Sequence, residues 1–255
     1  MKLLASDLDG TLYFNHQTPK VKPQDIEAIK AFQKAGNLFG ICSGRTLAGI
    51  HHALNEQDIH LDFYILVSGA ALADENGHFI YQHRLSKATI RKIVTAIEHE
   101  KEAQILFCHE ENYYLLHPNA SLNRRGKIIQ DIDEALENDF DSLHIAFEHT
   151  DTLERVKEIL KSKLDDEIEI HHNVLNLDIT PKGFSKGKAI KTLENYLPIR
   201  LEDIATIGDS FNDISMLQAA PTSFTFHTSE ASVKANAKHI VADISEAINL
   251  LTKED

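Results

Sequence analysis

The chain has 255 residues, enough for one large α/β domain or for a core domain carrying a smaller insertion. Apolar residues make up 42% and charged residues 25%, and the formal net charge is −13, which argues against nucleic acid as the main partner and against adhesion to anionic membranes. Cys42 and Cys108 are too few for a disulfide framework, the amino-terminal stretch meets Asp7 too soon for a signal-peptide core, and no apolar run is long enough to span a bilayer, so a cytoplasmic protein is expected.

In chain order, Leu3 to Ser6 reads as a short apolar strand running into Asp7-Leu8-Asp9-Gly10-Thr11. Pro23 to Ala35 reads as a helix, with Ile26, Ile29, Ala31, Phe32 and Ala35 on one stripe and Gly36 as its stop. Leu38 to Cys42 is a strand stopped by Ser43-Gly44-Arg45, Thr46 to Leu54 is helical, and Phe63 to Val67 is a third buried strand stopped by Ser68-Gly69. From about residue 82 to 183 the rhythm changes. Helices are expected at Lys87 to His99, near Asp131 and at Leu153 to Leu164, and strands at Gln104 to Cys108, Tyr113 to His117, Ser142 to Phe147, Glu167 to His171 and Val174 to Ile179. Neighbouring strands without intervening helices predict an antiparallel sheet, and the acidic stretch Asp133 to Asp141 reads as a solvated connection. After Gly183 the α/β rhythm returns, with helices at Ser185 to Tyr196, Asn212 to Ala219 and Ser245 to Leu251 and strands at Ile204 to Ile207, Ser223 to Phe226 and His239 to Val241. The expected fold class is α/β: a doubly wound parallel-sheet core from residues 1–81 and 184–255, with an α+β insert at 82–183.

Four polar clusters fall at the ends of predicted core strands or the starts of core helices, the edge where a parallel α/β sheet binds ligands. Asp7 and Asp9 suit a nucleophile and a proton donor, or metal ligation; a strand-end turn is the alternative. Ser43-Gly44-Arg45 offers a hydroxyl and backbone amides to an anion, or is an ordinary N-cap with an exposed arginine. Lys186 opens a helix, where a cation is electrostatically misplaced unless it faces an anion or carboxylates. Its surroundings match a nucleotide-binding P-loop poorly, because the spacing is one residue short and Ala189 replaces the required hydroxyl. Asp209, Asn212 and Asp213 suit a hard cation, or are capping groups. If these clusters converge, the carboxylates repel one another and a phosphate by about 3 kcal/mol for each pair at roughly 5 Å. A divalent cation, best magnesium, together with Lys186 would reverse that sign.

Asp-Leu-Asp-Gly-Thr, Cys-Ser-Gly-Arg, Ser-Lys-Gly and Gly-Asp-Ser-Phe-Asn-Asp, in this order and context, resemble the four motifs of the haloacid dehalogenase superfamily. The insert resembles the type IIB cap of its Cof-type phosphatases. The resemblance implies a magnesium-dependent phosphatase acting on a small phosphate ester, such as a sugar phosphate, through an aspartyl-phosphate. It implies Asp7 as nucleophile and metal ligand, Asp9 as general acid/base with its carbonyl on the metal, and Asp209 as the third protein ligand. Asp213 would orient metal-bound water, and Ser43, Gly44, Lys186 and Asn212 would hold the phosphoryl group. Opening and closing of the cap would admit substrate. A monomer or weak homodimer is expected.

Two loops depart from the family pattern: Ser68-Gly69 stands where Asn-Gly is common, and Phe226-His227-Thr228-Ser229 where a Gly-Asn-Ala-like segment is common. They motivate a second reading, a catalytically weak phospho-ligand sensor, and a sugar phosphomutase is a third. The His51-His52 and His171-His172 pairs lack a zinc-motif context and read as solvated or capping groups, and Arg124-Arg125 as a solvated loop able to meet a second anion.

Overall fold

The computed structural model describes residues 1–109, 112–122, 126–136 and 139–253, which form two compact units. One consists of Met1–Gln82 and Ser185–Asp255, the other of His83–Phe184. The first half of the larger unit contributes β1 (Leu3–Ser6), α1 (Pro23–Lys34), β2 (Leu38–Cys42), α2 (Leu47–Leu54), β3 (Phe63–Leu66), β4 (Ala71–Asp74) and β5 (Phe79–Gln82). The inserted unit contains α3 (Lys87–Ala96), β6 (Gln104–His109), β7 (Asn112–Leu116), β8 (Lys127–Ile128), α4 (Ile132–Ala135), β9 (Ser142–Ala146), α5 (Thr150–Leu164), β10 (Ile168–Asn173) and β11 (Asn176–Pro181). The chain then returns with α6 (Lys186–Thr192), β12 (Ile204–Ile207), α7 (Ile214–Ala219), β13 (Thr222–Phe226), α8 (Ala231–Lys234), β14 (His239–Val241) and α9 (Ile244–Leu251).

The core sheet runs β14-β13-β12-β1-β2-β3-β4-β5. The first six strands are parallel, and β1 pairs with β12 and with β2, so the chain's two sequence-separated halves meet at its centre. The hairpin β4–β5 extends this parallel core with two antiparallel strands that the hydropathy pattern does not single out. Its turn is held by the Asp74 carboxylate, which accepts from the backbone amides of Asn76 and His78. Leu3, Ala5, Cys42, Phe63, Ile65, Ile190, Ile204 and Met216 pack into one apolar core, and burying each of its Leu, Ile, Phe and Met side chains is worth roughly 1.5–3 kcal/mol.

In the inserted unit the sheet order is β10-β11-β9-β6-β7-β8, antiparallel except for the β7–β8 pair. Its own core joins Ile90, Ile93 and Ile97 to Ile105, Phe107, Leu143, Ile145, Leu153, Val156 and Leu160. Helix α3 ends at Ala96 rather than His99, because Ile97 turns out of the helix (φ −117°) while its side chain remains buried. The acidic 133–141 stretch is not wholly a solvated connection. Asp131 caps α4 in a capping box with Glu134, Phe140 is buried, and Asp141 pairs with Arg84. Arg124-Arg125 lies outside the described residues. Neither cysteine is in a disulfide, and both are buried. Among the described residues no helix is long and apolar enough to cross a membrane.

Candidate active site

β1 ends at Ser6, and Asp7 continues its hydrogen bonding by donating its amide to the Ile207 carbonyl of β12. The chain then leaves the strand in a tight turn, with the Leu8 carbonyl accepting from the amides of Thr11, Leu12 and Tyr13. Gly10 makes that turn possible. It sits at φ +84°, and a Cβ there would lie 2.6 Å from Asp209 Oδ2. As a result Asp7 and Asp9 part company: Asp7 is buried and Asp9 is exposed.

Asp7 faces Lys186. Ser185 caps α6 by accepting from the Lys188 amide, and Lys186 opens the helix with its side chain fully buried. Its Nζ donates to Asp7 Oδ1 at 2.5 Å and to Asp213 Oδ1 at 2.6 Å. The two carboxylates thus account for a cation in the first helical turn, where the helix dipole opposes it. Asp213 is completely buried, and its other oxygen accepts from the amides of Asp209 and Ser210, both at 3.0 Å. Gly208 leaves room for this, since a Cβ there would collide with the Asp213 carboxylate at 2.5–2.7 Å. Asp209 Oδ1 accepts from the Thr11 hydroxyl at 2.8 Å, a contact that no motif spacing announces.

One oxygen from each of Asp7, Asp209 and Asp213 falls within 4.8 Å of the others. Burial, then the like charge of Asp213, raises the Asp7 carboxyl well above the usual carboxylate range, with Lys186 opposing. Burial and Asp213 likewise push Asp209 up to about 6, against the Thr11 hydrogen bond. For Lys186, burial works against the charged form, but Asp213 and Asp7 outweigh it and its ammonium group is held well above the ordinary lysine value. Three carboxylates therefore share one ammonium group. The cluster lacks positive charge and offers only oxygen donors, a set that suits a hard divalent cation.

Asp9 points elsewhere, to Arg45 rather than into the carboxylate cluster. Nε and Nη2 of Arg45 donate to the two Asp9 oxygens at 2.7 and 2.6 Å, while Nη1 donates to the Gly49 carbonyl at 3.0 Å. Arg45 is thus neither a bare surface group nor part of an N-cap. The cap of α2 is Thr46, whose hydroxyl accepts from the Gly49 amide. Ser43 directly follows β2, is buried, and accepts from the Arg45 amide at 3.2 Å, and Gly44 lies half-buried in the bend between them. The loop after β3 is tied to this bend, since Val67 and Ser68 donate their amides to the carbonyls of Arg45 and Ser43. Val67 and Ser68 both hold positive φ, 49° and 50°, a conformation that asparagine tolerates better than either. Two buried oxygens, Ser68 Oγ in the loop after β3 and Asn212 Oδ1 in the turn after β12, make no hydrogen bond to the described residues. His227 and Thr228 are exposed just after β13. His51 and His52 are exposed on α2, and His171 and His172 bond to Thr180 and to the Val174 carbonyl.

Residues 4–247 match the family of haloacid dehalogenase-like hydrolases. A 5-amino-6-(5-phospho-D-ribitylamino)uracil phosphatase of Bacillus subtilis is 30% identical over 86% of this chain and 85% of its own length. A pyridoxal phosphate phosphatase of Escherichia coli is 27% identical over 95% of this chain and 93% of its own. Among solved structures, a subclass IIB sugar phosphatase of the haloacid dehalogenase superfamily superposes with a TM-score of 0.82 at 24% identity, covering 100% of this chain and 99% of its own. At that identity the likeness is one of fold.

Proposed function

This chain belongs to the haloacid dehalogenase-like hydrolases as a phosphatase of their Cof type, and from that premise we propose that it hydrolyses a small phosphorylated metabolite through a phosphoryl group carried on Asp7, with Mg²⁺ as cofactor. The observation that carries the reading is Lys186 Nζ held between Asp7 and Asp213 inside a buried, oxygen-only acidic cluster. In the first step the Asp7 carboxylate attacks phosphorus, the bond to the leaving oxygen breaks, and Asp9 delivers a proton to that oxygen. In the second step Asp9 takes a proton from water, the water oxygen attacks phosphorus, and the bond to Asp7 breaks to release inorganic phosphate.

Asp7, Asp209 and the Asp9 carbonyl would hold the cation, with Asp213 behind them, because both Asp213 oxygens already serve protein donors. When bound, the ion neutralises negative charge on the phosphoryl oxygens and lowers the carboxyl pKa values that burial has raised. Lys186 steadies Asp7 and, with Ser43, Gly44 and Asn212, receives phosphoryl oxygens. Asn212 would do so through its Nδ2 donor, since its Oδ1 is an acceptor and can serve only a donor. Arg45 holds Asp9 as a carboxylate, and as substrate arrives Asp9 leaves that ion pair, takes up a proton from solvent and turns to the leaving oxygen.

We take residues 1–81 and 184–255 as the catalytic core and 82–183 as the cap. Two buried cysteines outside any disulfide and the acidic balance support a cytoplasmic setting, and we take the working form as a monomer or weak homodimer. The test is a screen of phosphorylated metabolites with purified protein and Mg²⁺, run beside Asp7→Asn. Phosphate release by the wild type alone is expected, and equal release by the variant would end the assignment.

A further inference from the structure

At the sheet edge opposite Asp7, the segment before β3 and the turn after β4 bring three potential metal ligands together. His60, Asp62 and Glu75 each offer one ligand atom, and all three atoms lie within 4.8 Å of one another. Asp62 is set at the foot of β3, donating its amide to the Phe39 carbonyl. Its Oδ2 is fixed by the Phe39 amide at 2.8 Å and by Gln33 Nε2 at 2.7 Å, which leaves Oδ1 turned toward the imidazole. Gln33 also donates to the His60 carbonyl at 3.3 Å, so one side chain positions both residues. Glu75 enters from the β4–β5 turn, whose shape is set by Asp74 and by Gly77 at φ +80°.

The spacing is informative. His60 Nε2 stands 3.5 Å from Asp62 Oδ1 and 3.7 Å from Glu75 Oε2. A charge-assisted hydrogen bond would close to about 2.7–2.9 Å. Ligands about 2.1 Å from a tetrahedral ion lie about 3.4 Å apart, which is close to what is found. We infer that His60, Asp62 and Glu75 form a second divalent-metal site, distinct from the acidic cluster around Asp7 and selective for a borderline ion such as Zn²⁺. The imidazole decides the selectivity: Mg²⁺ favours all-oxygen surroundings, whereas nitrogen with two carboxylates suits zinc and its first-row neighbours. Asp62 carries the outer-shell hydrogen bonds that hold a metal-binding carboxylate in place. The ion would tie the loop entering β3 to the β4–β5 turn, and remaining positions would be filled by water.

The test is calorimetric titration of Zn²⁺ into the full chain in excess Mg²⁺, which occupies the all-oxygen cluster. Wild type, His60→Ala and Glu75→Gln are compared. Wild type is expected to show one site that is at least about tenfold weaker or absent in both variants, the usual range for losing a ligand or its support. Co²⁺ in place of Zn²⁺ should give visible absorption bands from wild type that His60→Ala lacks. Phosphatase turnover and thermal unfolding without zinc should be the same in all three proteins, which separates loss of the site from loss of fold. Wild type binding no more zinc than the two variants would overturn the assignment, leaving the three groups an ion-paired surface patch.

Discussion

Two acid–base pairs at the same strand ends have opposite settings. Asp7 and Lys186 are sealed from solvent, and Lys186 is shared with a second buried carboxylate, Asp213. Asp9 and Arg45 are joined by two short hydrogen bonds, yet their side chains are 47% and 32% exposed. The difference teaches what each pair is for. A buried ion pair is costly to break and holds its members in one geometry, while an exposed pair contributes about 0–1 kcal/mol and can be exchanged during a reaction. On the proposed mechanism the first pair would fix the attacking carboxylate, and the second would keep the acid within reach.

That contrast breaks most visibly at Lys186. Lys186→Met leaves Asp7 and Asp213 without their cation, and we expect loss of detectable turnover together with destabilisation of about 3–5 kcal/mol in urea unfolding with a chelator present. A variant as stable as the wild type would remove the distinction between the pairs. Asp9→Asn should slow turnover by about 10²–10⁴-fold, the usual worth of a general acid–base, while the urea midpoint stays within experimental error. A loss of stability without a loss of rate would reverse the assignment.

Asp25 sharpens the comparison because it is buried like Asp7, but among the described residues no lysine is hydrogen-bonded to it and Lys22 acts only through its charge. Asp25 accepts from the Ser245 amide at the start of α9, and its second oxygen has no partner among the described residues. Burial, opposed by that hydrogen bond, pushes its carboxyl up to about 6. The folded state therefore binds this proton more tightly than the unfolded chain, whose aspartates titrate near about 3.9. This contribution to stability falls as pH rises from about 4 to 6 and is flat above, with an upper limit of roughly 3 kcal/mol. Asp25→Asn should stabilise the protein by about 1–3 kcal/mol at pH 8 and by little at pH 4, as measured by denaturant unfolding at the two pH values. The smallest effect is expected at Arg45. Arg45→Ala should change stability by less than about 1 kcal/mol, with any change in turnover seen in kcat rather than in unfolding.

The apolar runs of β1, β2, β3 and β12 are stopped at their carboxyl ends by Asp7, Ser43, Ser68 and Gly208, so strand positions and the convergence of Asp7, Lys186, Asp209 and Asp213 could be read from the chain itself. The hairpin β4–β5 could not. Ala71-Leu72-Ala73 is buried without alternation, and its pairing depends on the edge left open by β3. The sequence leaves open whether Asp7 and Asp9 share a face; the strand ends at Ser6, and the turn through Gly10 sends them apart. Thr11 and Arg45 escaped notice as site residues because their partners, Asp209 and Asp9, are chosen by side-chain reach across the folded chain. Ser68 shows the reverse. Its positive φ explains why asparagine is the common residue in that loop, but only once the backbone is seen.

The central claim is that Asp7 carries the phosphoryl group, and the most direct measurement is the mass of the Asp7-containing peptide after rapid acid quench of Asp9→Asn turning over a phosphate ester in Mg²⁺. With an aryl phosphate as that ester, whose leaving oxygen departs without a proton from residue 9, breakdown alone is slowed, and one phosphoryl group should remain on Asp7. A phosphoryl group found on any other residue, or an unmodified Asp7 peptide during active turnover, would contradict the account.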